Sequence, residues 1–300
     1  MDENINFEDG AKEIANQAAK NSLGKANSFV EDSRPIMADI GWLNINIENL
    51  PSKGSYYPTG TQIAIRAASV SEIRHWSTID QNDILGMDDM LNYVIEKCCT
   101  VKVPGQISSW KDIKEIDRFY IIFAIREFTF KDGENKIYLP NTGGEKVEIK
   151  KEMIQYFSLE EKLKKFYSQE TKDFVMNLRN GETIRASMPN IGVSVFIKNY
   201  VRSKIQNKQS YDEAFIKFAP FIFDDYRNLS TMTYEKAVQD SVMWSIEKIS
   251  ILSTVSDLLG DSVNPTVVYN GSEGEVTAQL DFQGGIKSLF IISDIFDQLV

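Results

Sequence analysis

The amino-acid sequence predicts an α+β fold, in which a small β element packs on buried helices and a mainly helical C-terminal region follows. Apolar and polar residues alternate from Trp42 to Glu48 and again over Gln62–Ala67, which is the period of half-buried strands. The segment Phe119–Ile125 is apolar on nearly all sides, as in a helix at the centre of a core. From Val193 onward, segments with helical spacing dominate.

Composition and local character divide the chain into three parts. The 300 residues are 42% hydrophobic, which is enough to bury a substantial core. We interpret residues 1–37 as a polar N-terminal arm because large apolar residues are sparse there. Residues 38–157 form the predicted α+β domain, and residues 158–300 form the mainly helical region with a β-hairpin.

The elements of the α+β domain follow in order. Two strands are joined by a Tyr-bearing loop, Leu50–Gly60, whose Pro and Gly residues favour turns. Serines and aspartates before apolar stripes are typical helix starts. The sequence predicts helices over Glu72–Trp76 with Ser69 or Ser71 as cap, from Asp88-Asp89 through Cys98, and from near Trp110, then a β segment over Lys136–Ile149.

The C-terminal region begins with the strongest hairpin signal in the chain. Asn180-Gly181 lies between two candidate strands within Lys172–Met188, and this dipeptide favours a type I′ turn. The predicted elements beyond it are helices at Val193–Gln206, at Tyr211–Phe223 with an internal Pro220, and at Thr233–Leu259 with a break near Ser250, then a short hairpin at Val267–Leu280 and a closing helix at Ser288–Leu299.

The charge distribution argues against a nucleic-acid binder. The net charge is −10, and residues 233–300 contribute ten acids against three bases, whereas residues 38–232 are balanced. A neutral body with an acidic end lacks the basic footprint that nucleic acid requires. The acidic region either serves solubility or meets a basic surface on another subunit.

Residues able to carry catalysis or bind a metal are few. His75 is the single histidine, and the two cysteines, Cys98 and Cys99, are adjacent in a predicted helical stretch. A catalytic triad would have to use His75, and a zinc site would lack the several His or Cys ligands it usually needs. Three acid pairs could hold a hard cation: Asp80 with Asp83, Asp88 with Asp89, and Asp224 with Asp225. None fits the calcium-loop pattern, and the first two occur where helix N-termini favour carboxylates, so capping is the favoured interpretation. We therefore predict no enzyme activity, no cofactor, no metal and no small-molecule substrate. No apolar run reaches a membrane-spanning length, and the acidic start does not resemble a signal peptide.

Two groups of residues are candidates for protein contacts. In the loop they are Pro51, Lys53, Tyr56, Tyr57 and Pro58, because a rigid loop that bears tyrosines loses little entropy on docking. The alternative is that both tyrosines attach the loop to its own core. The second group is a basic stripe, either a solvated helix face or a contact with an acidic neighbour such as another copy's C-terminal region: Lys198, Arg202, Lys204 and Lys208.

The loop Leu50-Pro51-Ser52-Lys53-Gly54-Ser55-Tyr56-Tyr57-Pro58-Thr59-Gly60 resembles a motif of the baseplate-hub protein family of T-even-type contractile-tailed phages. The resemblance extends over about residues 41–150, including Ile63–Arg66, Asp83–Leu85 and Ile125-Arg126-Glu127. Relatives carry a Cys-x-x-Cys knuckle where this chain has Asn141-Thr142-Gly143-Gly144, so no zinc is expected. Residues 158–300 match nothing in the family.

The resemblance implies a structural part of a tail baseplate or an assembly factor for one, acting through other tail proteins or self-association. The alternative is a chaperone or binding module for another tail protein, absent from the finished particle. The implied location is the host-cell cytoplasm during assembly, with the virion baseplate as the final location of a structural part.

Overall fold

The computed structural model describes residues 41–76, 84–130, 147–150, 153–156, 159, 161–260, 265–271 and 274–279. Within these ranges the chain forms helices and three small antiparallel sheets, which confirms the α+β class. The predicted N-terminal arm, the acidic pair Asp80 and Asp83, the turn 141–144 and the closing helix 288–299 lie outside the described residues.

The strands are short and each belongs to a three-stranded sheet. The first sheet has the order β1-β2-β3, the second β5-β6-β7 and the third β4-β8-β9. Their bounds are β1 Trp42–Ile45, β2 Gln62–Arg66, β3 Cys99–Lys102, β4 Ile154–Gln155, β5 Tyr167–Ser168, β6 Asp173–Asn177, β7 Thr183–Ala186, β8 Thr266–Gly271 and β9 Gly274–Gln279.

Along the chain, most helices lie between the strands of the first sheet and those of the second, or follow the second sheet. Short 3-10 turns at Ile47–Asn49, Trp110–Asp112 and Tyr226–Asn228 accompany them. The helices of the described residues are α1 Val70–Trp76, α2 Ile84–Cys98, α3 Glu115–Thr129, α4 Glu161–Lys164, α5 Ile191–Gln206, α6 Glu213–Ile222, α7 Thr231–Ser241 and α8 Ile246–Gly260.

The first sheet confirms the two strands predicted around the loop and adds a third. β1 pairs with β2 in the register Leu43 to Ile65, and β2 pairs with β3 in the register Ile65 to Cys99. The expectation that Cys98 and Cys99 share a helical stretch was therefore wrong, since α2 ends at the first and β3 begins at the second. The run Cys99–Lys102 alternates buried and less buried residues, a pattern too short to overcome the helical signal before it.

The hairpin at Asn180-Gly181 is present, but its turn differs from the prediction. Leu178 and Glu182 flank three loop residues, and the Leu178 amide donates to the Glu182 carbonyl at 2.8 Å. The Gly181 amide donates to the Leu178 carbonyl at 3.0 Å, and Gly181 has a φ of +85°. This is the three-residue loop with glycine in the left-handed region, rather than a two-residue type I′ turn.

Two helix boundaries also differ from the predictions. Asp88 and Asp89 lie in the second turn of α2 instead of opening it, because the helix begins at Ile84. The long C-terminal helix breaks at residues 242–245, not near Ser250. Three consecutive turn hydrogen bonds, from the amides of residues 242–244 to the carbonyls of residues 239–241, end α7 there.

Two hydrophobic clusters form the interior. The first joins the β1-β2-β3 sheet to α2 and α3 and receives Val267 of β8. The second joins the β5-β6-β7 sheet to α5, α6 and α8, and receives Tyr56 and Ile116 from the first half of the chain. Each cluster therefore draws side chains from both sides of residue 157, where the sequence predicts a domain boundary.

Candidate functional site

The Leu50–Gly60 loop is a chain of tight turns. Backbone hydrogen bonds close it from Lys53 to Leu50, from Ser55 to Ser52 and from Tyr57 to Gly54, at 2.9, 3.0 and 3.2 Å. Gly54 has a φ of +72°, and a Cβ there would lie 3.1 Å from the Cδ1 atom of Ile47. Both its conformation and its close neighbour therefore favour glycine at this position.

The loop is fastened to α3 through a buried carboxylate. Asp117 is fully buried, and its Oδ1 accepts a 2.9 Å hydrogen bond from the amide of Ser52. Its Oδ2 accepts a 2.8 Å hydrogen bond from the hydroxyl of Tyr57. That hydroxyl in turn accepts a 3.0 Å hydrogen bond from the amide of Lys114. Tyr57 thus completes a polar network that links the loop to the start of α3.

The same network has unusual acid–base properties. Burial raises the pKa of Asp117 to about 6, although hydrogen bonds from Ser52 and Tyr57 and the nearby Lys114 charge favour the carboxylate. Burial lowers the pKa of Lys114, whose Nζ donates a 3.0 Å hydrogen bond to the carbonyl of Met188. The network therefore connects the loop, α3 and the segment that precedes α5.

Tyr56 points into the other hydrophobic cluster. Its ring centroid lies 5.6 Å from that of Tyr167 and 6.0 Å from that of Phe174, in the second sheet. The Tyr167 hydroxyl donates to the carbonyl of Ser55. Because Tyr56 is 5% exposed and Tyr57 is 2% exposed, the structure has the arrangement in which the tyrosines attach the loop to its own core. Adjacent tyrosines serve two different clusters.

The remaining loop candidates stay accessible. Pro51 is half-buried, whereas Lys53 and Pro58 are exposed, as is Gly60. A Cβ at Gly60 would approach the Cγ of Pro104 to 3.2 Å, so the loop end packs against the loop that follows β3. The surface that the motif offers to solvent is therefore smaller than the sequence suggests and lacks its tyrosines.

The basic stripe on α5 pairs mainly within the chain. Lys198 contacts both Asp88 and Asp89, and Nη1 of Arg202 lies 2.5 Å from the Oδ2 of Asp89. On the same helix, Nζ of Lys204 lies 2.7 Å from the Oε1 of Glu235 on α7. Lys208 lies beyond the end of α5, is exposed and has a φ of +54°.

Asp88 is the centre of the largest of these ion-pair groups. Nη2 of Arg118 lies 3.0 Å from the Asp88 carbonyl and 2.5 Å from its Oδ1, and Lys198 contacts the other carboxylate oxygen. Burial alone would raise the pKa of Asp88, but the charges of Arg118 and Lys198 outweigh it and lower the pKa. The aspartates that the sequence assigns to helix capping instead join α2 to α3 and α5.

The described residues contain no group of three His, Cys, Asp or Glu side chains placed to hold a metal ion. Both cysteines are buried, and burial raises the pKa of the Cys98 thiol to about 12 and that of Cys99 further, which disfavours the reactive thiolate. The ring of His75 lies 5.2 Å from that of Tyr93. No helix among the described residues is long and apolar enough to cross a membrane.

A small cleft lies between α3 and the third sheet. Its volume is about 70 Å³, which accommodates a few water molecules. Arg126 and Glu127 lie at its polar side, and burial lowers the pKa of Arg126. The apolar wall is formed by Tyr120, Phe123, Ala124, Ile149, Ile154 and Tyr156.

The junction between α7 and α8 exposes apolar side chains. Met243 is 87% exposed, and Val242 and Ile246 are exposed to a similar degree. Between them, the Trp244 ring packs 5.8 Å from that of Phe218 and holds the junction against the second cluster. Adjacent exposed apolar side chains on an ordered corner are typical of protein–protein contact surfaces.

No protein-family model, curated protein sequence or solved structure matches the chain. The resemblance of the Leu50–Gly60 loop to a known motif therefore stays a prediction from its residues.

Asp117 and Lys114 are the central residues that the sequence analysis missed. Asp117 lies within the first turn of α3 next to Ile116 and Phe119, where a carboxylate looks like an ordinary helix-start residue. Glu115 and Arg118 flank it in the same turn, so no pattern in the sequence distinguishes Asp117. The sequence cannot show that the fold brings Asp117 to Tyr57, which lies sixty residues before it.

Proposed function

We propose that the protein is a structural component or assembly factor of a contractile-tail baseplate of the phage type, in the hub region. It acts through contacts with other tail proteins and has no catalytic role. The observation that carries the proposal is the Leu50–Gly60 motif, whose residue types each meet a distinct structural demand: Gly54 at a left-handed φ, Tyr56 in one cluster and Tyr57 in the other.

The organisation of the loop supports this proposal in a second way. A segment tied through Tyr57 to Asp117 and through Ser55 to Tyr167 holds two hydrophobic clusters together. Such an arrangement suits a rigid building block, which loses little conformational entropy on assembly. The exposed apolar corner around Met243 supplies the kind of surface that assembly contacts use.

Mass spectrometry of purified tails and complete particles tests the proposal. We expect the chain at a fixed stoichiometry relative to other baseplate proteins, and we expect it to be retained after washing at high salt. Cells that produce the particle without this chain should accumulate tail proteins that fail to form baseplates. Normal particles from such cells would contradict a role in assembly.

The second candidate is a chaperone for another tail protein. The exposed apolar corner favours it equally, since holding an unassembled partner also requires accessible apolar surface. In that case the chain co-purifies with one tail protein before assembly and is absent from finished particles. Comparing the chain's abundance in assembly intermediates and in particles separates the two functions.

A further inference from the structure

The tip of the β6–β7 hairpin joins an exposed asparagine directly to a glycine. Asn180 and Gly181 are both exposed and occupy the second and third positions of the three-residue loop between Leu178 and Glu182. Asparagine is a chemically labile residue, because its side-chain amide can react with the main chain that follows it. Whether that reaction occurs in a folded protein depends on the groups around the amide.

The first requirement is a main-chain nitrogen that can reach the Cγ atom of Asn180. That nitrogen belongs to Gly181, so the attack is intramolecular and closes a five-membered ring. Gly181 has a φ of +85°, and no atom beyond its chain neighbours lies within 4 Å of the position that a Cβ would occupy. The main chain at this glycine therefore has the room and the conformational freedom to turn towards the side chain.

The second requirement is a side-chain carbonyl that can carry negative charge. The amide of Glu182 donates a 3.0 Å hydrogen bond to the Oδ1 of Asn180. When a nucleophile attacks Cγ, negative charge develops on this oxygen, and a positioned N–H donor stabilises that charge as an oxyanion hole does. The hairpin tip thus supplies both the nucleophile and the group that polarises its target.

One contact within the loop opposes the reaction. The Gly181 amide donates a 3.0 Å hydrogen bond to the carbonyl of Leu178, and it must release this carbonyl before it can attack. The bond lies at the exposed end of the hairpin, where local opening costs far less free energy than global unfolding. The β6–β7 pairs that begin at Asn177 with Thr183 stay formed when only the tip opens.

A second Asn-Gly dipeptide provides a comparison within the same chain. Asn-Gly occurs twice in the sequence, and Asn270-Gly271 lies within β8. Asn270 pairs with Glu275 and Gly271 pairs with Gly274 of β9. A Cβ at Gly271 would lie 3.1 Å from the Cγ2 of Val276. The partner strand therefore crowds this glycine, and its main chain can turn only when the hairpin separates.

We propose that Asn180 is a modification site, at which the folded chain deamidates spontaneously through a cyclic imide formed with Gly181. The Gly181 nitrogen bonds to the Cγ of Asn180, the bond from Cγ to the side-chain nitrogen breaks, and ammonia leaves with the proton that the Gly181 amide gives up. Water then opens the imide at either carbonyl, which yields aspartate or isoaspartate. The reaction needs no enzyme or cofactor and is independent of the proposed function.

The two products differ in their effect on the hairpin. Aspartate keeps the length of the main chain and still offers an acceptor to the Glu182 amide. Isoaspartate adds one methylene to the main chain of a loop that is closed by the 2.8 Å hydrogen bond from Leu178 to Glu182. Leu178 is buried in the second hydrophobic cluster, and Glu182 forms an ion pair with Lys248 of α8. The added length therefore disturbs contacts on both sides of the loop.

Peptide mapping by mass spectrometry of the folded, full-length protein during storage from pH 6 to pH 8 tests the proposal. We expect deamidation at Asn180 to exceed that at Asn270 by about tenfold or more, because a loop tip opens more readily than a paired strand. The rate at Asn180 should rise with hydroxide concentration, since the Gly181 amide must lose its proton. In urea, where neither hairpin is folded, the two rates should approach each other.

Two results of this experiment would overturn the proposal. The first is deamidation of the folded protein that is equal at the two sites or faster at Asn270. The second is an Asn180 that stays intact in the folded protein under conditions in which the unfolded chain reacts.

Substitutions at Asn180 supply the second arm. Asn180→Gln lengthens the side chain, so ring closure becomes less favourable, and we expect modification at this position to disappear while that at Asn270 is unchanged. Freshly prepared Asn180→Asp reproduces one product and should melt close to the parent, whereas the isoaspartate form separated from aged parent should melt at a lower temperature. Equal melting temperatures of these two forms would overturn the inferred effect on the hairpin.

Discussion

The hydroxyl of Tyr57 donates a 2.8 Å hydrogen bond to the Oδ2 of Asp117, which lies sixty residues further along the chain. This bond joins the most recognisable segment of the sequence to the most buried helix of the first cluster. Around it, the amide of Ser52 donates to the other carboxylate oxygen and the amide of Lys114 donates to the tyrosine oxygen. The loop motif therefore joins parts of the fold to one another, and substitutions in it are expected to lower the free energy of unfolding.

Replacing Tyr57 by Phe is expected to destabilise the protein. The change keeps the ring but leaves a buried carboxylate oxygen and the Lys114 amide each without a hydrogen-bond partner, at a cost of about 1–3 kcal/mol. Urea unfolding measures the free-energy difference, and Tyr56→Phe is the control because its ring contacts with Tyr167 and Phe174 are preserved. Equal stability of the Tyr57→Phe variant and the parent would contradict the network.

Truncating either tyrosine to Ala is expected to cost more, about 3–5 kcal/mol as for other buried aromatic side chains. Both tyrosines are buried, so a large fall in melting temperature should accompany any loss of assembly. A variant with either truncation that retains the parent's melting temperature would instead restore the idea that the tyrosines bind a partner.

The stability of the protein should depend on the titration of Asp117. Burial raises its pKa from 3.8 to about 6, so the folded state holds this proton more tightly than the unfolded state does. The resulting stabilisation is complete below pH 3.8 and is lost as the pH rises through 6. Relative to an Asp117→Asn variant, the parent should lose about 2 kcal/mol of unfolding free energy between pH 4 and pH 7.

Glu72 provides the matched control for this titration. Its hydrogen bond with Arg66 lowers its pKa to about 2, so its stabilisation is present above pH 4.5 and is lost only as the pH falls through 2. The difference between the parent and a Glu72→Gln variant should therefore change little from pH 5 to pH 7. Denaturant titrations at each pH measure both differences, and a pH-independent difference for Asp117→Asn would refute the assignment.

Asp88→Asn is expected to destabilise the protein by about 1–3 kcal/mol, because the buried Arg118 and the half-buried Lys198 both lose a charged partner. The contrasting variant is Glu161→Gln, whose ion pair with Lys164 is exposed and worth about 0–1 kcal/mol. Thermal unfolding at low and high salt compares the two variants. Reversing the basic stripe on α5 would likewise disturb folding, so it is a poor probe of association.

Chelation should leave the protein folded. The described residues bring no three metal-ligating side chains together. The sequence has one histidine and two cysteines, which are too few for a typical zinc site elsewhere in the chain. We expect the melting temperature to be unchanged by an excess of EDTA and elemental analysis to find no stoichiometric zinc. One zinc per chain, with unfolding on its removal, would refute this expectation.

The sequence alone determined the elements whose signal is local. The alternation around Ile63 and Ile65, the Ser69 cap before Glu72 and the pairing of β8 with β9 depend on neighbours within a few residues, and each lies where the pattern predicts. The motif's turns are equally local, because Pro and Gly restrict or widen φ wherever they occur.

Only the tertiary structure decided the roles of side chains with distant partners. The sequence assigned Asp88 to a helix start and the α5 bases to a solvated face or a partner, but folding places them within hydrogen-bond distance of one another. Tyr56 and Tyr57 could equally have been exposed, and Asp117 carried no distinguishing pattern. The physical reason is that burial and electrostatic pairing are properties of three-dimensional neighbours, whereas periodicity and turn propensity are properties of the chain itself.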